Sequence, residues 1–287
     1  MEFEISVSEG AAMIALDVTL TTREGARLIA PVGLSTPDVT PMSLQVIGGR
    51  HEVLFETGSG QALVEVMPDS EDVTFRWAFQ RGGATYPNAM FAQRDSKYTR
   101  AAANLVGEVE ALVGGAASKD DALRLIVDHV AGMFEYGHRN DDLYEGHDDM
   151  PQLCGLTRGS CVDINAFLIA YCRAAGIEAG YVTGYFIPEE KRTSTTDMHC
   201  WVVTRTAAGV QEWDIAHHMK MGAAQILPSL NPKPGVRVAM SHSMGWHVPA
   251  LGVRDLKLLA EPMWLLPDGT WERAKLDIAF AGYDALR

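Results

Sequence analysis

Thr157-Arg158-Gly159-Ser160-Cys161-Val162-Asp163-Ile164 decides how this chain is read. Apolar residues follow at Ile164, Phe167, Leu168, Tyr171 and Ala175. That is the i, i+3, i+4, i+7 rhythm of one buried helix face. Gly176 supplies a C-terminal stop. Cys161 therefore falls in or just before the first turn of a helix, where unpaired backbone N–H groups point outward. The positive end of the helix dipole favours thiolate over thiol there, and thiolate is the form that attacks carbonyl carbon. Composition alone favours a structural reading, because free cysteine is among the most buried residue types. The placement and the possible partners favour catalysis.

A base and its support stand downstream. Cys200 to Thr204 and Val210 to Trp213 read as strands, with Arg205 to Gly209 as a short hairpin loop. His199 precedes the first strand and Asp214 follows the second, equidistant from the loop centre. Such positions face each other or lie on a close diagonal. A carboxylate there can hold an imidazole by one ring nitrogen while the other nitrogen faces the thiol. The expected catalytic group is Cys161, His199 and Asp214.

These segments resemble those of the transglutaminase-like superfamily of papain-related cysteine enzymes. Gly159-Ser160-Cys161-Val162-Asp163 is similar to its Gly-x-Cys-x-Asp nucleophile segment, His199-Cys200-Trp201 to its His-x-Trp segment, and Trp213-Asp214 to the aspartate that ends the next strand. Ala174 to Tyr185 looks like the family's helix end and following strand. The resemblance spans roughly residues 100 to 220. Cys200 departs from it, replacing the small residue usual between His and Trp, as does Ile215-Ala216, where the family often has a threonine. The resemblance implies a cysteine-dependent acyl transfer or hydrolysis of amides, peptide or glutamine-type, through a thioacyl-enzyme. It also implies an upstream oxyanion donor beside the Cys161 backbone N–H, for which Tyr136 and Gln152 are both open. Trp201 is open between a wall of the acyl pocket and the core.

Composition sets outer bounds. With 287 residues, 47% of them hydrophobic, the chain can bury a full core. No apolar run approaches bilayer length, and the acidic start, Met1-Glu2-Phe3-Glu4, lacks the pattern of a signal peptide. Cysteines 154, 161, 172 and 200 are too few for a disulfide scaffold and fit reduced thiols. A cytoplasmic protein is expected. A formal charge of −13 argues against nucleic acid or an anionic membrane as a general partner; a peptide or protein substrate is what the resemblance implies.

The expected fold is α+β, with a β-sandwich-like unit at 1–95 and a papain/transglutaminase-like core at 96–287 whose nucleophile helix packs on an antiparallel sheet. Val73, Phe75, Trp77 and Phe79 alternate with polar or small residues as a half-buried strand. Shorter runs at Glu4–Val7, Ile14–Leu20, Ser43–Ile47, Glu52–Phe55 and Ala62–Val66 suggest further strands. Tyr98–Leu112 and Lys119–Phe134 read as helices, the second capped by Ser118 and Asp121. The polar stretch Tyr136–Leu156 reads as a loop over or beside the nucleophile. After Asp214 a Pro/Gly-rich loop runs to Gly235, followed by short strands with a hairpin at Pro267-Asp268-Gly269, which finish the sheet or wall the site.

Two other function classes are weighed. One is a binding or assembly module that keeps the fold without catalysis. The other is a zinc hydrolase using Cys154, Cys161, His199 and Cys200, or some of His138, His147, His217, His218, His242 and His247. The spacings match no paired ligand pattern, and a nucleophilic Cys161 has to stay free of metal. No cofactor or metal is expected.

Overall fold

The computed structural model describes residues 14–83, 85–141, 143–196, 198–228 and 232–287. The strand expected at Glu4–Val7 lies outside the described residues. The chain begins with strands β1 (Ile14–Thr21), β2 (Arg27–Pro31), β3 (Val39–Ile47), β4 (Gly49–Phe55), β5 (Ala62–Pro68) and β6 (Asp72–Arg81). Alternation sets their faces. Along β6, Val73, Phe75, Trp77 and Phe79 are buried while Arg76 is exposed, as a period of two requires.

Helices α1 (Ala103–Val113) and α2 (Lys119–Met133) follow, then β7 (Phe134–Tyr136), β8 (Thr157–Gly159) and α3 (Cys161–Ala174). The Ser118 side chain accepts from the Asp121 backbone N–H, so the expected cap of α2 forms. Next come β9 (Glu178–Pro188), β10 (Met198–Thr206), β11 (Gly209–Trp213), α4 (Ile215–Lys220) and β12 (Gly235–His242). The chain ends with β13 (Trp246–Val248), β14 (Val253–Leu256), β15 (Met263–Leu265), β16 (Trp271–Arg273), β17 (Asp277–Ala281) and α5 (Tyr283–Leu286).

One antiparallel sheet has the order β17-β1-β6-β3 and another β16-β15-β2-β5-β4. Their inner faces meet in one core, where Leu16, Val18, Phe75 and Trp77 pack with Leu28, Val64 and Val66. This is the expected sandwich, but the last part of the chain completes it. Phe280 pairs with Leu16, and Trp264 pairs with Leu28. These pairings cross the boundary expected at residue 95, because alternation marks a strand without naming its partner. The tail's other expected task is met as well: residues 256–263 wall the cavity described below.

The third large sheet has the order β11-β10-β9-β12 and packs α3 on one face. On that face, Ala179, Tyr181, Cys200 and Val202 meet Phe167, Leu168 and Tyr171 in one cluster. Further along the same face, Tyr185, Ile187 and Val238 meet the sandwich, while the opposite face carries Val182, Trp201 and Val203 against Tyr86, Met90 and Phe91. The sheet is therefore covered on both sides. α3 is buried almost all round, from Asp163 to Cys172, as expected of a helix enclosed by other elements. The described residues contain no helix long and apolar enough to cross a membrane.

Candidate functional site: a buried cysteine, imidazole and carboxylate

The site is built from the start of α3. Asp163 turns back, and its Oδ2 accepts from the Ser160 backbone N–H and hydroxyl, each at 2.8 Å. This caps the helix and leaves Cys161 in its first turn. Asp163 thus supports the helix start, as its position suggests. At Gly159 an added Cβ would lie 2.6 Å from the Phe134 ring, so glycine is what lets β8 approach β7 beneath the cysteine.

His199 arrives from the sheet. The hairpin loop is shorter than expected: Thr206 pairs with Gly209, leaving Ala207-Ala208 as the turn. The ladder then pairs Val202 with Trp213, so Asp214 falls opposite Trp201, a two-residue diagonal from His199. Asp214 closes the gap by leaving the ladder to cap α4, its Oδ1 accepting from the His217 backbone N–H at 3.0 Å. Its Oδ2 meets His199 Nε2 at 2.9 Å. The other ring nitrogen of His199 is left for the Cys161 sulfur, with which its side chain hydrogen-bonds. The three side chains expected to meet are brought together. At Gly184, which pairs with His199, an added Cβ would lie 2.0 Å from the Val238 carbonyl oxygen; a bare backbone there lets β12 close on β9.

Charge is distributed accordingly. A hydrogen bond with the Cys200 thiol holds Cys161 well below the usual thiol range; burial opposes it, and the bond and charge of His199 and the charge of Lys220 assist. Cys200 is pushed well above that range, first by burial and then by its bond to Cys161, so it stays a thiol and donates. Asn165, one helical turn beyond Cys161, fixes Cys200 through Nδ2, 2.9 Å from its carbonyl oxygen and 3.2 Å from its sulfur. Burial pulls His199 down, but the charge of Asp214, its hydrogen bond and Cys161 outweigh it and raise His199 above its ordinary value. Burial pushes Asp214 up, yet His199, His217 and Arg237 hold it well below the carboxylate range. A thiolate beside an imidazolium is the state these shifts favour.

Cys161, His199 and Cys200 open onto a cavity of about 430 Å³. One wall is the segment from His138 to Asp141, part of the loop expected beside the nucleophile; the other comes from the tail, including Leu256, Leu258 and Met263. Arg139 pairs with Asp141, and Arg273 with Glu261, so these charges are offset in place.

The remaining expectations fare differently. Trp201 does not line the cavity; it is buried on the opposite face of the sheet, beneath the Arg237 guanidinium at 5.0 Å. Strand alternation sends it there, since Cys200 faces α3. Gln152 is exposed and lines no part of the cavity. Tyr136 also does not line it, but pairs with Gly159, two residues before the nucleophile, and carries Lys220 over its ring at 4.4 Å. The ligand sets imagined for zinc are not assembled as written: Cys154 is exposed. Among the described residues, the group able to hold a metal is His199, Asp214 and His217, with donor atoms within 4.8 Å of one another. Arg237 Nη2 stands 2.6 Å from the same Asp214 oxygen. That fixed positive charge fits a carboxylate engaged with N–H donors better than one engaged with a dication.

Sequence reasoning missed Arg237 and the part played by His217. His217 had a local signal, an aspartate three residues earlier at a helix start. Arg237 lies on a distant strand and had none.

Comparison with known proteins follows the same lines. The profile of the transglutaminase-like superfamily matches residues 108–213. Those residues form a transglutaminase-like domain. It ends at Trp213, one residue before Asp214. No curated protein matches the chain in sequence at a significant level. Among solved structures, a candidate cysteine protease from Cytophaga hutchinsonii is similar over 95% of this chain and 91% of its own, at 13% identity and a TM-score of 0.55. A candidate protease from Parabacteroides distasonis aligns with 79% of this chain and 48% of its own, at 12% identity and a TM-score of 0.32. The periplasmic domain of TgpA from Pseudomonas aeruginosa, bound to ethylmercury, aligns with 75% of this chain and 93% of its own, at 14% identity and a TM-score of 0.34. The first likeness bears on the fold of nearly the whole chain.

Proposed function

We propose that this transglutaminase-like protein is a cysteine-dependent enzyme that cleaves or transfers an amide acyl group, from a peptide bond or a glutamine-type side chain. The observation that carries the reading is a thiol at a capped helix start, hydrogen-bonded to an imidazole whose far nitrogen lies 2.9 Å from a buried carboxylate.

In this reading the Cys161 thiolate adds to the carbonyl carbon, and the carbonyl electrons move to oxygen. The Cys161 backbone N–H at the helix start receives that oxyanion. The His199 imidazolium gives its proton to the leaving nitrogen, the C–N bond breaks and a thioacyl-enzyme remains. Neutral His199 then takes a proton from water or an amine as that nucleophile attacks. The C–S bond breaks, and the thiolate–imidazolium pair is restored. Asp214 keeps the ring oriented and stabilises its charged form. A reducing compartment such as the cytoplasm suits this chemistry, because Cys161 must remain unoxidised.

An activated ester tests the proposal. Mixed with p-nitrophenyl acetate, the protein should gain one acetyl group that peptide mapping assigns to Cys161. Hydroxylamine should release it, and Cys161→Ser should not form it. Acetylation spread equally over the four cysteines, or absent from Cys161, would leave a non-catalytic module as the better reading.

A further inference from the structure

The carboxylate behind His199 is shared. Asp214 Oδ2 accepts from His199 Nε2 at 2.9 Å, from His217 Nδ1 at 2.9 Å and from Arg237 Nη2 at 2.6 Å. A carboxylate oxygen offers about two lone-pair directions, so these donors compete. The two imidazoles stack face to face, with centroids 3.8 Å apart and planes 3° from parallel. Phe186 meets the His217 ring edge-on at 4.6 Å, and both histidines and Asp214 are buried.

Two consequences follow from this arrangement. First, a ring clasped on one face by a parallel ring and tied at its edge to Asp214 cannot turn without breaking both contacts, so the line from His199 to the sulfur is fixed. Second, two imidazolium charges 3.8 Å apart in a buried site would repel strongly. If His199 carries the proton of the ion pair, His217 must stay neutral and use its Nδ1–H as donor. Among the described residues, the charged groups around this pair include Asp214 from the start of α4, Arg237 from β12, Cys161 from α3, Lys220 of α4, whose charge acts on Cys161, and, beyond Phe186, Lys233 at 5.0 Å from that ring. Asp214 already has a full cationic partner in Arg237. Every bond that Oδ2 gives to His217 is withheld from His199, so the carboxylate holds the His199 proton less strongly than an unshared one would.

We propose that His217 is a positioning residue for His199, fixing its ring plane by stacking and setting the carboxylate's hold on its proton by sharing Asp214 Oδ2. The inference rests on the proposed cysteine chemistry but concerns a residue outside the three that perform it.

The two contributions separate by substitution. His217→Phe keeps a stacking ring and loses the N–H; His217→Asn keeps an N–H near the Nδ1 position and loses the ring face. The readouts are the pH dependence of Cys161 carbamidomethylation by iodoacetamide, kcat and KM on an activated ester, and thermal unfolding. His217→Phe should move the basic limb of the alkylation profile, where His199 loses its proton, to higher pH. His217→Asn should leave that limb in place and lower kcat about tenfold with KM unchanged, because the ring face that holds His199 in line with the sulfur is gone. Wild-type limbs and kcat in both variants, with only the unfolding temperature lowered, would reduce His217 to a structural role and overturn the inference.

Should the variants not fold, imidazole nitrogen NMR of the unmodified protein decides. One of the two stacked rings should be charged and the other neutral with its proton on Nδ1; both rings charged together contradicts the inference. A wild-type Cys161 that alkylates like free cysteine is a separate result, which defeats the proposed function itself.

Discussion

Two buried clusters in this molecule each combine a carboxylate, an arginine and imidazole, and they push histidine in opposite directions. In one, Asp214 bonds His199 directly and raises its proton affinity. In the other, between the sandwich and β12, Glu56 is filled by different donors: Arg94 Nη2 at 2.5 Å, the Gly58 and Ser59 backbone N–H groups at 2.8 and 2.7 Å, and the Ser59 hydroxyl at 2.6 Å. His242 reaches none of these oxygens and bonds Ser243 Oγ instead, at 2.9 Å. Burial, then the Arg94 charge, push it down to about 4. Burial penalises a histidine charge in both places. Direct contact with the carboxylate reverses the outcome in one of them. The second cluster ties strands together away from the cavity that His199 lines; the first opens its histidine toward a thiol.

The sharpest way to break this comparison is to remove one carboxylate at a time. Asp214→Asn should lower acyl turnover by about four orders of magnitude, since a triad imidazole then loses its tautomer and its charge support. Glu56→Gln should leave turnover within a few-fold. Steady-state rates on an activated ester measure both, and similar losses from the two would erase the distinction. The converse holds for folding. Glu56→Ala leaves Arg94 buried with its main counter-charge gone and should cost about 3–5 kcal/mol in denaturant unfolding, while alkylation of Cys161 stays as in the wild type.

Acid sharpens the contrast further. His242 titrates near 6.5 when unfolded and about 4 when folded. The unfolded chain therefore binds the extra proton first, and stability falls as pH drops from about 6.5 to about 4. Glu56, raised by burial but lowered further by its donors to about 2, adds a loss beginning below about 4.5. His242→Gln should flatten the upper part of that decline by a few kcal/mol at most, read from unfolding free energies at stepped pH. An unchanged slope would mean that His242 does not carry it.

The smallest expected effect concerns Cys200. Cys200→Ser keeps a donor and should leave Cys161 reactivity nearly unchanged, whereas Cys200→Ala should slow alkylation several-fold at mildly acidic pH by raising the Cys161 pKa. Equal behaviour of the two variants would remove Cys200 from the account.

Much of the site was legible because its signals are local. Ser160 and Asp163 announce a capped helix start, the apolar rhythm through Tyr171 gives its buried face, and a short hairpin brackets His199 and Asp214. What stayed hidden depends on long-range pairing. Nothing near Trp264 or Phe280 tells that these strands pair with Leu28 and Leu16 across the whole chain. Arg237 reaches Asp214 only because β12 lies beside β9. The stretch after Asp214 was expected to be loop because of its later prolines and glycines, yet Asp214 caps the short α4 before they begin. Trp201 was open between pocket and core, and the strand's alternation, fixed by Cys200 facing α3, sends it inward.

The proposed chemistry depends on a Cys161 sulfur held as a thiolate by its neighbours. The rate of its carbamidomethylation, mapped by peptide mass and followed against pH beside N-acetylcysteine, addresses that most directly. Cys161 should show a plateau of fast labelling reaching into acidic solution, where the small-molecule thiol is protonated and inert. A curve for Cys161 that rises only together with the reference thiol would contradict it.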